Sequence, residues 1–416
     1  MPKGIYECVN CGHREVLESD EVILEGACPK CGGDMVLVGF SVETGEGEAI
    51  RGVSGEVGAI EELVSRFYQA ELVEKRGEVY VFRVREILER DFEAVLREFE
   101  SKGYWAALKK AGEGVVLYVF PAGEVKPDNP KIGIGLFILT LLSTLWAGYV
   151  LALNYIATLD KFGLPGYRNP YVTALAFSLS VLAILGTHEM GHKIAAMIHN
   201  VKATFPYFIP FPNLLGTLGA VIRVKSPVPT RDAAIDLGVS GPLAGILVAI
   251  PVTIIGLRLS PLVPTSLIPP TKGGVYFGTN LFFMLLERLM FGGTLEKGDY
   301  VVFLHPVAIA GWVGILVTFL NLIPAAQLDG GHIARAFMSE KTHRYFTIGI
   351  SLTLMLMSYL WSGWLIWGLL ILFIGSAGNP GALDEVSPIS WSRKALAILA
   401  LIIFVLTATP VPLSVE

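Results

Sequence analysis

The chain has 416 residues, 53% of them hydrophobic and only 17% charged, and the charge is unevenly spread. Residues 1–130 hold 15 Lys/Arg against 25 Asp/Glu, whereas residues 131–416 hold 17 against 12. That split excludes a single soluble globular domain, a disordered chain and a disulfide-stapled secreted scaffold, and describes an acidic soluble head on an integral membrane body. An acidic head also argues against nucleic acid as a partner.

No basic stretch followed by an apolar core opens the chain, so no signal peptide is read and the head is expected in a reducing cytosol. All four cysteines fall within the first 31 residues, as Cys8-Val9-Asn10-Cys11 and Cys28-Pro29-Lys30-Cys31. Each knuckle is followed by a glycine, Gly12 or Gly32, that frees the tight turn a tetrathiolate site needs. The spacing predicts a zinc ribbon over residues 1–40, in which Cys8, Cys11, Cys28 and Cys31 close a tetrahedral shell. A closed shell leaves no position for water, so this zinc is structural. Redox pairs or free thiols are the plainer alternative, and twin knuckles at this spacing outweigh it.

Residues 39–58, rich in Gly and Glu, read as a linker. A small α/β cytosolic domain is expected over residues 59–126. Its helices are predicted over 60–74 and 90–101, the second with Phe92, Val95, Leu96 and Phe99 on one stripe. Its strands are predicted over 78–84, 104–108 and 115–120. It holds no catalytic constellation, and a docking or regulatory role is the expectation.

From residue 131 the character changes. Apolar stretches over 132–156, 171–198, 237–259, 301–323, 346–361, 363–374 and 395–408 predict a polytopic α-helical membrane protein of about six to eight spans. Residues 275–291, apolar but carrying Glu287 and Arg288, are expected to lie in the interface. With the head inside, the inner connections carry ten Lys/Arg and the outer ones six. That bias agrees with a multi-pass protein of the cell membrane whose N-terminal head is cytosolic.

The chemistry begins at His188-Glu189-Met190-Gly191-His192, near the end of the second span. Residues four apart on a helix share a face about 6 Å apart along the axis, so both imidazoles can reach one metal, with Glu189 beside them as general base. A chance match is expected only about 0.01 times in a chain of this composition. Two helix-end histidines at a membrane surface would be the plainer reading, but three ionisable groups in an apolar span are costly and by default functional. His188 lies 17 residues beyond Tyr171, roughly 26 Å along a helix, so the site is expected within the membrane near its inner surface.

Hydrolytic zinc wants three protein ligands and one open position. Of the other histidines, His13 is in the ribbon, His343 in a charged loop, and His199 most simply a surface residue beyond the site. His305 has no companion. The stretch from Asn321 through Pro324 and Leu328 to Asp329-Gly330-Gly331-His332 interrupts an apolar run. Broken backbone at membrane depth is tolerated only where it lines protein or a watery cavity. Asp329 and His332 are rival third ligands on these grounds.

An HExxH motif in an early span, followed two spans later by Asn321, Pro324 and Leu328-Asp329-Gly330-Gly331, resembles the site-2 protease family of intramembrane zinc metalloproteases. The resemblance covers roughly residues 131–380, within a transmembrane metalloprotease domain read over 131–416. It implies that His188, His192 and Asp329 hold a catalytic zinc, that Glu189 is the base, and that Asn321 acts near the oxyanion. Gly238, Gly241 and Gly245 are similar to the family's small-residue motif on the intervening span, and at helical spacing they also suit ordinary close packing. The family places a membrane-dipping β-hairpin where residues 205–227 lie, and its strand edge would accept an unwound substrate. No PDZ module is evident, and the ribbon with its α/β head looks like an archaeal and plastid-type branch.

The expected function is therefore hydrolysis of a peptide bond within or near a transmembrane segment of a membrane-protein substrate, in the bilayer, with one catalytic and one structural Zn²⁺. A metal-binding membrane transporter or scaffold that hydrolyses nothing is the alternative. Glu189 separates the two, because transport needs ligands and only hydrolysis needs a base beside them.

Overall fold

A computed structural model of the chain describes residues 3–8, 14–17, 26–27, 30, 34–41, 50–112, 114–125, 127–267, 275–295 and 298–415. It divides into two compact units, Met1–Val64 and Ser65–Glu416. In the first, β1 (Lys3–Cys8), β2 (Arg14–Leu17), β3 (Gly26–Ala27) and β4 (Asp34–Ser41) form an antiparallel sheet in the order β2-β1-β4-β3. Cys11, Cys28 and Cys31 lie outside the described residues, and of Cys8 only the backbone, in β1, is described. Helix α1 (Ile50–Ser65) follows, so the expected linker over 39–58 ends in a helix. Gly52, Gly55 and Gly58 are weak helix formers and masked it.

The second unit begins with β5 (Tyr68–Arg76) where the sequence suggested that a helix ran on to residue 74. Tyr68, Ala70 and Leu72 face inward and alternate with exposed Gln69, Glu71 and Val73. That period of two belongs to a strand, and the apolar pair Leu72 and Val73 made it look helical. β6 (Val79–Ile87), α2 (Phe92–Ser101), β7 (Tyr104–Ala111) and β8 (Gly114–Pro121) complete an antiparallel sheet in the order β5-β6-β8-β7. Asp91 caps α2 by accepting the Ala94 N–H at 3.1 Å, and the stripe Phe92, Val95, Leu96 and Phe99 is buried as its spacing predicts.

The helical body starts with α3 (Pro130–Phe162) and α4 (Pro170–Ile198), whose 33 and 29 residues give lengths of about 50 and 44 Å. A hairpin of β9 (Tyr207–Pro210) and β10 (Thr217–Val221) leads to α5 (Arg231–Arg258). Then come β11 (Leu262–Pro264), β12 (Val275–Phe277), α6 (Leu281–Phe291) and β13 (Tyr300–Val302). The chain closes with α7 (Pro306–Asn321), α8 (Asp329–Phe337), α9 (Glu340–Leu356), α10 (Gly363–Ser376), α11 (Trp391–Thr407) and β14 (Leu413–Val415). β11 pairs with β13, and β12 with β14. The apolar stretch 301–323 is thus β13 and then a helix that starts only at Pro306, because Pro fits a first helical turn. α6, with 11 residues, is about 16 Å long, short of a hydrocarbon core of about 30 Å.

Among the described residues, α3, α4 and α5 are long and apolar enough to cross a membrane, and α7 and α10 are shorter apolar helices. α7 is buried on nearly every face and packs with Ile184 of α4, Ala249 and Leu257 of α5, and Phe283 of α6. Its approach to α5 is backbone to backbone: a Cβ at Gly256 would lie 2.2 Å from the Ala308 nitrogen. Conversely, α3 and α10 expose large apolar side chains, among them Trp146 (70% exposed), Ile366 (70%) and Phe373 (79%). A helix core packed through small residues and walled by exposed apolar ones suits a lipid solvent.

Two connections tie the α/β sheet to the helices. Residues 382–385 lie as an added strand between β7 and residues 228–230. The Leu108 N–H donates to the Leu383 carbonyl (2.9 Å), Glu385 to Leu108 (3.0 Å), and Leu383 to Val228 (2.9 Å). At the end of α4, His199 Nδ1 meets Glu93 Oε1 of α2 at 2.7 Å and His199 Nε2 meets Asp236 Oδ2 of α5 at 2.9 Å. These bonds, to Asp236 first and then Glu93, raise the imidazole pKa from 6.5 to about 9. A raised folded-state pKa means stabilisation that is complete below about pH 6.5 and lost as pH rises through about 9. The gap in thermal midpoint between the natural chain and His199→Gln should therefore narrow across that window. A gap independent of pH would show that the imidazolium carries no such stabilisation.

Candidate metal centre

α4 turns one stripe inward, Val181, Leu185, His188, His192 and Ala196, with Glu189 buried beside it. The imidazoles of His188 and His192 bring their Nε2 atoms 3.2 Å apart. His192 Nδ1 lies 2.7 Å from the Leu237 carbonyl oxygen on α5, so Nδ1–H donates there and the Nε2 lone pair faces the site. Pro242, inside α5, supplies no N–H and leaves that helix one hydrogen bond short a turn earlier, at Gly238, next to this carbonyl.

The third corner comes from the break between α7 and α8. Pro324 ends the first helix, and Ala326 sits at φ 53°, a left-handed conformation rare for a residue with a side chain. It is held there by Thr347 Oγ1, which accepts its N–H at 3.0 Å, and by Asn379 Nδ2, which donates to its carbonyl at 3.2 Å. α8 restarts at Asp329, and Gly330 and Gly331 let its first turn press onto the preceding backbone. A Cβ at Gly330 would lie 2.1 Å from the Leu322 carbonyl oxygen. Asp329 Oδ2 is thereby placed 3.2 Å from His188 Nε2 and 3.3 Å from His192 Nε2.

The three atoms make a nearly equilateral triangle with sides of 3.2, 3.2 and 3.3 Å. Tetrahedral zinc with ligands at about 2.0–2.1 Å separates them by about 3.3–3.4 Å. Asp329 Oδ2 is buried without a hydrogen-bond partner, the state of an oxygen that a cation would satisfy. A Cβ at Gly241 would lie only 2.0 Å from His192 Nε2, and one at Gly245 3.1 Å from His188 Nδ1. Those glycines of α5 do more than fit helix to helix: at 241 a side chain would overlap the face of the His192 ring itself. The residues fit a zinc ion.

Glu189 also brings an oxygen within 4.8 Å of the histidine nitrogens. Its Oε2, however, accepts the Ile222 N–H at 2.9 Å, just past β10, whereas Asp329 Oδ2 is unclaimed. Asp329 Oδ2 is thus better placed than Glu189 as a third donor, and the Glu189 carboxylate stands at the edge, held by the Ile222 N–H. Asn321, the last residue of α7, places Nδ2 3.2 Å from His188 Nε2, which puts its amide beside one corner of the triangle. His332 is placed outside it, with Nδ1 3.4 Å from Asn379 Nδ2. His305 caps α7, His343 is buried in α9, and neither reaches the centre. The Ile222 N–H and the Leu237 carbonyl escaped sequence reasoning because main-chain groups carry no residue signature.

These positions predict opposite results for the two rival ligands. Asp329→Asn should lower zinc content and His332→Ala should leave it bound, because an amide oxygen binds zinc far more weakly than a carboxylate. Metal analysis of the purified variants decides, and loss of zinc from the His332 variant alone would reverse the assignment.

Comparison with known proteins adds an independent line. The profile of peptidase family M50 matches residues 176–360. The chain is 35% identical to the probable zinc metalloprotease EGY1 of Arabidopsis thaliana chloroplasts, over 58% of this chain and 44% of that protein. It is 31% identical to the probable zinc metalloprotease EGY2 of the same plant, over 71% and 52%. The chain thus spans about half the length of the curated relatives it matches. A solved site-2 protease from Methanocaldococcus jannaschii aligns over 58% of this chain and 92% of that one, at 17% identity and a TM-score of 0.30. The matched region holds both halves of the centre, from the HExxH helix to the Asp-Gly-Gly turn, and by it this chain carries a domain of peptidase family M50, the site-2 protease family.

Proposed function

We propose that this chain is an intramembrane zinc endopeptidase that cuts a peptide bond within or beside a transmembrane segment of a membrane-protein substrate. The observation that carries this reading is the buried triangle of His188, His192 and Asp329 with the carboxylate of Glu189 beside it. A zinc ion held by those three groups supplies Lewis acidity toward a peptide carbonyl and makes a water more acidic. Glu189, oriented by the Ile222 N–H, accepts the proton of the attacking water and passes it to the leaving amine nitrogen. The Asn321 amide, 3.2 Å from His188 Nε2, can donate to the oxygen on which negative charge develops.

A helical peptide bond is shielded and hydrogen-bonded, so the substrate must unwind. β9 and β10 form a two-stranded sheet whose β10 runs directly into Ile222. A substrate strand laid alongside this hairpin would pass the base, and strand addition needs no particular side chains. The remaining assignments rest on the sequence pattern: a zinc ribbon over 1–40 with a structural zinc on Cys8, Cys11, Cys28 and Cys31, an α/β domain over 59–126 and a metalloprotease domain over 131–416. So do the six to eight spans in the cell membrane and the cytosolic head.

Replacement of Glu189 by Gln tests the mechanism. The amide keeps the shape but accepts no proton, so cleavage of a transmembrane substrate should fall by roughly 10²–10⁴-fold while two zinc ions per chain remain. Undiminished turnover in the purified variant would remove Glu189 from the chemistry, and one zinc per chain with all four thiols reduced would remove one of the two metal sites.

A further inference from the structure

The α/β layer grips the helical body through two separate networks, and each ends on an element that carries the metal centre. The first runs through His199. Glu93 of α2 holds Nδ1 at 2.7 Å, and Asp236 of α5 holds Nε2 at 2.9 Å. Asp236 is clasped from the other side by Arg393 of α11, with Nη2 at 2.8 Å and Nε at 3.1 Å. His199 is the C-cap of α4, two turns past His192, and Asp236 immediately precedes Leu237, whose carbonyl orients the His192 ring. The network therefore fixes both partners of one imidazole, the helix bearing it and the carbonyl steering it.

The second runs through Arg335 on α8, less than two turns beyond Asp329 and 4% exposed. Its guanidinium donates to the carbonyls of Asn379 (3.0 Å) and Met338 (2.7 Å), and pairs with the Glu385 carboxylate. Glu385 also pairs with Lys109 Nζ of β7 at 2.9 Å, and Lys109 donates to the Ala382 carbonyl at 2.9 Å. Glu385 is itself the end of the strand added to the β7 edge. The sheet thus reaches α8 through one shared carboxylate. Buried charge networks of this kind hold one arrangement and are costly to leave half-paired.

We propose that the α/β layer is a positioning element of the metal centre, and that Glu93, His199, Lys109 and Glu385 are the positioning residues that set the spacing between α4 with α5 and α8. Three donors on two separate segments meet only if those segments keep their distance, and the α/β layer, through α2 and β7, is the common body that both arms end on. Whatever displaces that sheet displaces Asp329 from the histidines. The layer is then the handle by which an event outside the membrane controls a reaction inside it. Control of a reaction rests on the endopeptidase reading; control of the spacing does not.

The test uses the full chain in detergent, carrying Glu93→Ala with Lys109→Met. Amide hydrogen exchange of residues 329–337 is read in metal-free protein, and zinc retention against a competing chelator in loaded protein. Partners that touch metal ligands directly are worth roughly 10–100-fold in metal affinity, and Glu93 and Lys109 act on them through His199 and through Glu385 and Arg335, so the low end of that range applies. Zinc retention should accordingly weaken roughly tenfold or more, and α8 exchange should quicken while α3 stays as it is. Glu93→Gln with Lys109→Arg, which keep an acceptor and a donor, should recover most of both. Unchanged α8 exchange and zinc retention would overturn the proposal. So would exchange quickened equally in α3, with no recovery in the conservative pair, since that is general loosening. Neither readout needs cleavage, so a natural chain that cuts no transmembrane substrate would defeat the endopeptidase reading and leave this one to be decided by exchange and zinc.

Discussion

The governing constraint is that three polar atoms from two distant stretches of chain must meet within about 3.3 Å inside an apolar body. A carboxylate buried without a partner is costly, and two imidazoles beside it satisfy it only partly. Much of the local architecture answers that demand. α5 is thinned to glycine where the imidazoles lie, because a methyl at 241 would overlap the His192 ring. α7 is broken at Pro324 so that α8 can restart with Asp329 in its first turn. The Gly pair after Asp329 is the means by which that turn presses close enough to deliver it.

The groups around the triangle divide the labour by what holds them. His192 is steered by a backbone carbonyl, which fixes its tautomer and cannot be lost by a side-chain substitution. Glu189 is steered by a backbone N–H just past a β-hairpin, so its carboxylate and the second strand of that hairpin meet at one junction. Asp329 is steered by a charged side chain one and a half turns on, through Arg335 and Glu385. Two of the three, His192 through His199 and Glu93 and Asp329 through Arg335, Glu385 and Lys109, depend on ion pairs that reach as far as the α/β layer. That is why the sheet, and not the hairpin, is where control of the spacing is sought.

Much of the site was legible in the sequence because its chemistry needs particular residue types at particular spacings. His188, Glu189 and His192 follow from helical geometry, whereas the helix break at membrane depth points to Asp329 and His332 alike and only the family resemblance favours Asp329. The choice between Asp329 and His332 was open, since residues three apart in one turn differ only in direction. In the sequence His199 looks like a bystander because its partners, Glu93 and Asp236, are 106 and 37 residues away. Strand β5 was read as helix because an apolar pair, Leu72 and Val73, blurs a period of two. The added strand at 382–385 carries no signal at all, as it pairs by main-chain bonds and is only Ala-Leu-Asp-Glu after a Pro-Gly turn. Local periodicity reports which face is buried and says little about which distant element covers it.

The central claim is the ligand set, and zinc X-ray absorption on the purified full chain tests it most directly. The account predicts two kinds of shell. Nitrogen and oxygen donors at about 2.0–2.1 Å, with imidazole scattering, belong to His188, His192 and Asp329, and sulfur at about 2.3 Å belongs to the four cysteines. The light-atom shell should vanish in His188→Ala while the sulfur shell stays. A spectrum with sulfur alone in the natural chain, or imidazole scattering that survives in His188→Ala, would contradict the account.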